Sequence, residues 1–78
     1  MKDFEIFAGY HENIVALKGE LTEYFSSWQK YGVFNSDEIA EIFFNRGIDS
    51  DIIFTREAYN KLKNILGLDD NTNIFMEV

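Results

Sequence analysis

The longest pattern of hydrophobic positions in the chain runs through residues 13–31. At about 100° per residue, its large apolar side chains fall in one stripe about 120° wide, which is typical of an amphipathic helix. The stripe consists of Ile14, Leu17, Leu21, Tyr24, Phe25, Trp28 and Tyr31. Asn13 is suited to cap the first turn, Gly32 is suited to the position after the last turn, and only Gly19 opposes the helix. We therefore predict one long helix over residues 13–31, with Trp28 at the centre of the core.

Two further helices are indicated by the residues at their ends. Asn35 and Glu38 have the spacing of a capping box, which predicts a helix over Ser36–Arg46 that stops at Gly47. Thr55 is suited to cap a helix over Arg56–Leu66, which stops at Gly67. The side chains expected to face inward are Ile39, Ile42 and Phe43 in the first of these helices and Ala58, Leu62, Ile65 and Leu66 in the second.

Strands are predicted at both ends of the sequence by alternation of apolar and polar residues. Phe4–Ala8 directs Phe4, Ile6 and Ala8 to one face and Glu5 and Phe7 to the other. Residues 73–78 alternate in the same way, with Ile74, Met76 and Val78 opposite Phe75 and Glu77. We expect these terminal strands to pair, because a lone short strand leaves its backbone groups without partners. Ile52–Phe54 is either a short strand or an extended connector.

The elements together predict an α+β fold in which three helices pack on a small two- or three-stranded sheet, in the order β-α-α-(β)-α-β. Residues 1–78 are expected to form a single small domain. With helices on one side of the sheet, Phe7 and Phe75 point to the opposite side and are expected to be partly exposed. A loop, a second copy of the chain or a partner protein would then cover these two rings.

The composition is sufficient for a hydrophobic core without a disulfide or a structural metal. The sequence is 46% hydrophobic and contains eight Phe, four Tyr and one Trp. It contains no Cys, which excludes disulfides and thiolate metal sites. The start of the sequence lacks the pattern of a signal peptide, and no apolar run reaches the length of a membrane span, so we expect a cytoplasmic protein without membrane contact.

Charge is the strongest indication of how the protein interacts. The net charge is −7, and residues 33–54 alone combine one Arg with five Asp or Glu, a net charge of −4. Such a chain repels nucleic-acid phosphates and anionic lipids, so we expect no direct nucleic-acid binding. The acidic residues of this segment are Asp37, Glu38, Glu41, Asp49 and Asp51. For Asp37 and Glu38 the alternative is an ordinary helix start, where carboxylates complement the helix dipole.

The sequence offers little for catalysis or metal binding. His11 has no nucleophile arranged around it in the sequence, and no phosphate-binding loop or zinc-protease motif is present. Asp49 and Asp51 resemble the start of a calcium loop, but Ile53 and Phe54 stand where the next ligand and the Gly are needed. We therefore predict neither an enzyme nor a metal or cofactor site.

These features favour an acidic, non-catalytic module that binds another protein on its basic surface through Asp37, Glu38, Glu41, Asp49, Asp51, Phe7 and Phe75. The most specific form of this hypothesis is an inhibitor from a phage or mobile element that occupies a nucleic-acid-binding surface. The abundance of Ile, Asn and Phe and the lack of Pro indicate an AT-rich coding source, such as a low-GC bacterium or one of its phages. The alternative is a housekeeping regulatory or homodimeric domain. A weaker alternative is a DNA-binding helix-turn-helix, although the connection between Ser36–Arg46 and Arg56–Leu66 is too long for that motif.

Overall fold

The residues that the structure describes fold as a four-stranded mixed sheet with two helices. The computed structural model describes residues 2–9, 12–21, 28–46, 52–69 and 74–75. The elements in these ranges are β1 (Phe4–Ala8), β2 (Asn13–Leu17), β3 (Gln29–Phe34), α1 (Ser36–Arg46), β4 (Ile52–Phe54) and α2 (Arg56–Leu66). The strand order is β3-β1-β2-β4, with β1 antiparallel to both neighbours and β2 parallel to β4. The α+β class is as predicted, but the arrangement of three helices in the order β-α-α-(β)-α-β is wrong.

The predicted long helix over residues 13–31 is replaced by two strands and the segment between them. Ile14 and Val15, at the start of this region, point to opposite faces of the sheet and are 0% and 1% exposed. A strand permits neighbouring side chains to be buried on opposite faces, and β-branched residues favour it. Gly19 has φ of +84°, a left-handed conformation that ends the strand in a turn and is incompatible with a helix interior. Tyr24 and Phe25 lie outside the described residues.

The two ends of the chain do not pair with each other. Strand β1 has β2 on one side and β3 on the other, so both of its edges are occupied. Ile74 instead forms a parallel bridge with Phe54, and the Phe75 amide donates to the Phe54 carbonyl at 2.7 Å. The described part of residues 73–78 therefore extends the sheet beyond β4, and Ile52–Phe54 is a strand and not a connector.

Both predicted helices that follow β3 are confirmed, with their predicted caps. Asn35 Oδ1 accepts from the Glu38 amide at 2.8 Å, and Glu38 Oε1 accepts from the Asn35 amide at 2.9 Å, which completes the capping box of α1. Thr55 caps α2, and Gly67 ends it with φ of +68°. These caps are local interactions over three or four residues, which is why the sequence pattern predicts them. Gly47 lies outside the described residues.

The described residues form two core clusters, one on each face of the sheet. The helix-side cluster joins the strands to both helices through Phe4, Val15, Ile52, Phe54, Ile39, Ala40, Phe43, Ala58, Leu62 and Leu66. The opposite cluster contains Phe7, Ile14, Ala16 and Leu21, with Trp28, Ile53 and Phe75 packed against it. Trp28 is thus half-buried at the edge of the second cluster and not at the centre of the core. Ile65 is 46% exposed, so its predicted inward position is also wrong.

Candidate protein-binding site

The predicted partner-binding residues that the structure describes fall on two different faces of the sheet. Helix α1, which carries Asp37, Glu38 and Glu41, packs into the helix-side cluster. Phe7 and Phe75 belong to the cluster on the opposite face. Asp49 and Asp51 lie outside the described residues. The three acidic residues of α1 and the two rings therefore do not form one continuous surface.

Phe7 is covered by the protein's own chain. It is 8% exposed, and it packs in one cluster with Leu21 from the turn after β2 and with Trp28, which immediately precedes β3. The expectation of a partly exposed ring is wrong for Phe7, and coverage by a chain segment is the alternative that applies. Phe75 is half-buried at the edge of the same cluster. Neither ring offers a wide apolar surface to a partner.

The three acids on α1 differ in their partners. Glu38 completes the helix cap and accepts from Lys2 Nζ at 2.8 Å. The hydrogen bond from Lys2 and that from the Asn35 amide lower the pKa of Glu38 below its ordinary value. Asp37 and Glu41 are exposed, and within the described side chains neither forms a salt bridge. Glu38 thus has a structural function, while Asp37 and Glu41 are the acids available to a partner.

An apolar cleft of about 270 Å³ opens between α1 and the sheet. Helix α2 packs against β2 and β4, and α1 packs against α2, which leaves the β3 end of the helix-side face less covered. We call this space the apolar cleft, and it is lined by Ile6, Asn13, Val15, Tyr31, Phe34, Ile42, Phe43 and Ile52. Tyr31 stands at its rim and is 65% exposed. The cleft is therefore open to solvent beside the edge strand β3.

A second, acidic cleft adjoins the first along α1. It measures about 250 Å³ and is lined by Phe34, Glu38, Glu41, Ile42 and Asn45. Phe34 and Ile42 line both clefts, so the apolar cleft continues directly into the acidic cleft. This arrangement places carboxylates beside an apolar depression, which is the composition expected of a surface for basic, partly apolar ligands.

A buried carboxylate occupies the opposite face of the sheet. The Glu5 side chain is 5% exposed; it forms a 2.7 Å salt bridge with Lys30 Nζ and accepts a hydrogen bond from the Gly19 amide. Burial by itself raises the pKa of Glu5, but the Lys30 and Gly19 hydrogen bonds and the charges of Lys30 and Lys18 outweigh it, and the pKa is lowered. This group connects β1, β3 and the turn after β2. Its position indicates a structural function.

The described residues offer few groups for catalysis. Among the described side chains that line the apolar cleft, only those of Asn13 and Tyr31 carry polar atoms. The described ranges contain no group of three or more His, Cys, Asp or Glu placed to hold a metal ion. In the same ranges no helix has the length and apolar character needed to cross a membrane.

Tyr31 and Phe34 line the apolar cleft, and the sequence pattern did not predict this position for either residue. The periodicity places Tyr31 at the end of a helix, with Gly32 as the helix stop. In the structure both residues belong to β3, and Gly32 lies opposite Ile6 within the sheet. The aromatic and β-branched residues of Tyr31-Gly32-Val33-Phe34 are the signal that would have predicted a strand.

Comparison with known proteins does not assign the chain to a group. No protein family model matches it, no curated protein sequence matches it, and no solved structure matches it.

Proposed function

We propose that this protein is a small acidic, non-catalytic module that binds a basic surface of another protein through the apolar cleft and the adjoining acidic cleft. The observation that carries the proposal is that Phe34 and Ile42 line both clefts. A partner that inserts an apolar side chain beside Phe34 brings its neighbouring Lys or Arg residues close to Glu41. Buried apolar anchors supply most of the affinity in such interfaces, and charges at the rim steer association.

The lining of the apolar cleft favours an apolar side chain of a partner protein over a polar metabolite. Small-molecule sites contain a few placed polar groups that orient the ligand. Among the described side chains that line the cleft, those of Asn13 and Tyr31 carry polar atoms and the others are apolar. An apolar side chain of a partner needs no polar group to orient it.

The charge of the chain favours a basic protein over nucleic acid or lipid. The net charge of −7 repels phosphate groups, while it attracts a surface rich in Lys and Arg. Strand β4 lies between α1 and α2 along the chain, which argues against a helix-turn-helix DNA reader. The narrowest form of the proposal is an inhibitor, such as one from a phage or mobile element, that covers a nucleic-acid-binding surface in the cytoplasm.

Selection from a library of random peptides tests the proposal for a partner of any identity. We expect the protein to enrich peptides that combine a large apolar residue with Lys or Arg, and we expect added salt to weaken their binding. Tyr31→Ala removes part of the rim of the apolar cleft, and Glu41→Gln removes one carboxylate of the acidic cleft. Both variants should bind the selected peptides more weakly.

Phe44→Ala is the matched control. Phe44 is 72% exposed on α1 and lines neither cleft, so this variant should bind the selected peptides as well as the wild-type protein does. Enrichment of acidic or uncharged peptides would contradict the proposal. Equal losses for Tyr31→Ala and Phe44→Ala would also contradict it, because exposed aromatic residues in general would then explain the binding.

A further inference from the structure

Strand β3 is the free edge of the sheet within the described residues. It pairs with β1 on one side, and none of the described strands pairs with its other side. The opposite edge differs, because backbone contacts from Ile74 and Phe75 extend the sheet beyond Phe54. An edge strand presents backbone N–H and C=O groups that can pair with another extended chain.

The last three residues of β3 form an uncharged stretch of this edge. A register shift between Ile6 and Phe7 leaves Tyr31 as the extra residue of a bulge. Gly32, which follows the bulge, has φ of +152°, and the pairing register with β1 is continuous from Gly32 to Phe34. Lysine on an edge strand commonly discourages pairing with other chains. Here Lys30 Nζ is instead bound to Glu5 on the face opposite the helices, 2.7 Å from its carboxylate oxygen.

The same stretch of β3 also forms one side of the apolar cleft. Phe34 lines the cleft, and Gly32 pairs with Ile6, which lines it too. Because alternate side chains of a strand point to the same face, a chain added to β3 would direct every second side chain to the helix side, next to the cleft. Glu41 and Glu38 would then lie beside neighbouring side chains of the added chain, because both residues line the acidic cleft together with Phe34.

We propose that an extended, basic segment of the partner protein adds to the free edge of β3 and directs an apolar side chain into the apolar cleft. This inference rests on the proposed function, because it specifies how the partner occupies the same site. A second copy of the chain is a poorer occupant, since each copy carries a net charge of −7. Antiparallel pairing of two β3 strands about a twofold axis would also bring the acidic sides of both α1 helices to one face of the joined sheet.

A synthetic peptide of sequence Lys-Thr-Val-Thr-Phe-Thr-Val-Thr-Lys tests strand addition directly. In an extended conformation its Lys, Val and Phe side chains all point to one face, and its backbone N–H groups alternate between its two edges. Two further versions of the peptide carry backbone N-methyl groups. One version is methylated on the two Val residues, and the other is methylated on the second and third Thr residues, so the two versions block opposite edges of the extended peptide. The version whose methyl groups face β3 should bind at least about tenfold more weakly than the other, because each blocked hydrogen bond lowers the affinity.

The outcomes separate this inference from the proposed function. Equal binding of the two N-methylated peptides would overturn strand addition and leave docking through side chains intact. No detectable binding of the parent peptide would also overturn strand addition, while the library selection still tests the proposed function. Binding that is unchanged when both Lys residues are replaced by Glu would instead contradict the proposed function. In the supporting case, Tyr31→Ala weakens binding of the parent peptide and the control Phe44→Ala does not.

Discussion

The ion pair between Lys30 and Glu5 provides a quantitative test of how the edge strand is held in the sheet. Lys30→Met keeps much of the side-chain volume and removes the ammonium group that lies 2.7 Å from the Glu5 carboxylate. The Glu5 side chain is 5% exposed, so the carboxylate that remains is poorly solvated, with the Gly19 amide as its remaining hydrogen-bond donor from the described residues. The variant should therefore be less stable at neutral pH.

The expected loss of stability is about 1–2 kcal/mol. A hydrogen bond to a charged group contributes about 1.5–3 kcal/mol, and this contribution is reduced to about 1–2 kcal/mol because Lys30 is 52% exposed and solvent screens its charge. The Lys30 ammonium also helps to hold the pKa of Glu5 below its ordinary value of 4.5. In the wild-type protein this stabilisation is present above about pH 4.5 and disappears as the pH falls through the lowered pKa. The difference in stability between wild type and variant should thus shrink in acid.

Urea unfolding followed by Trp28 fluorescence measures both the size of the effect and its pH dependence. Lys61→Met is the matched control, because Lys61 is exposed on α2 and its replacement changes the net charge by the same amount. We expect the control to change the free energy of unfolding by less than about 0.5 kcal/mol. A Lys30→Met variant as stable as this control would refute the reasoning. A difference that stays constant from neutral pH to about pH 3 would refute the assignment to Glu5.

Two further substitutions test the local structure. Thr55→Ala removes the hydroxyl that caps α2 and donates a hydrogen bond to Glu20 at 2.8 Å. This variant should lower the free energy of unfolding, measured in urea, by about 1–2 kcal/mol. An unchanged free energy of unfolding would mean that α2 begins without this cap. Gly9→Ala places a methyl group 2.6 Å from the Trp28 ring, and it should destabilise the protein by about 1–3 kcal/mol and shift the Trp28 emission. An unaltered spectrum and stability would show that Trp28 does not pack on Gly9.

Short-range patterns in the sequence determined the helices that follow β3 and the first strand. Asn35 with Glu38, and Thr55 with Gly67, act within a few residues of the helix ends, so their spacing predicts the caps found in the structure. The alternation of Phe4–Ala8 likewise predicts which side chains share a face, and Phe7 does point away from the helices. The charge of −7, which underlies the proposed partner, also follows from composition alone.

Tertiary contacts decided that residues 13–31 contain strand β2 and the start of β3, and they decided where the apolar and acidic clefts lie. Ile14–Leu17 is an apolar run that fits a buried strand as well as a helix, and periodicity alone cannot distinguish the two. Pairing with β1 on one side and β4 on the other, with core clusters on both faces, selects the strand. Residues far apart in sequence supply these contacts, so no local pattern around Ile14 reports them. The same long-range pairing places Phe34 at the sheet edge beside α1, where the apolar and acidic clefts meet.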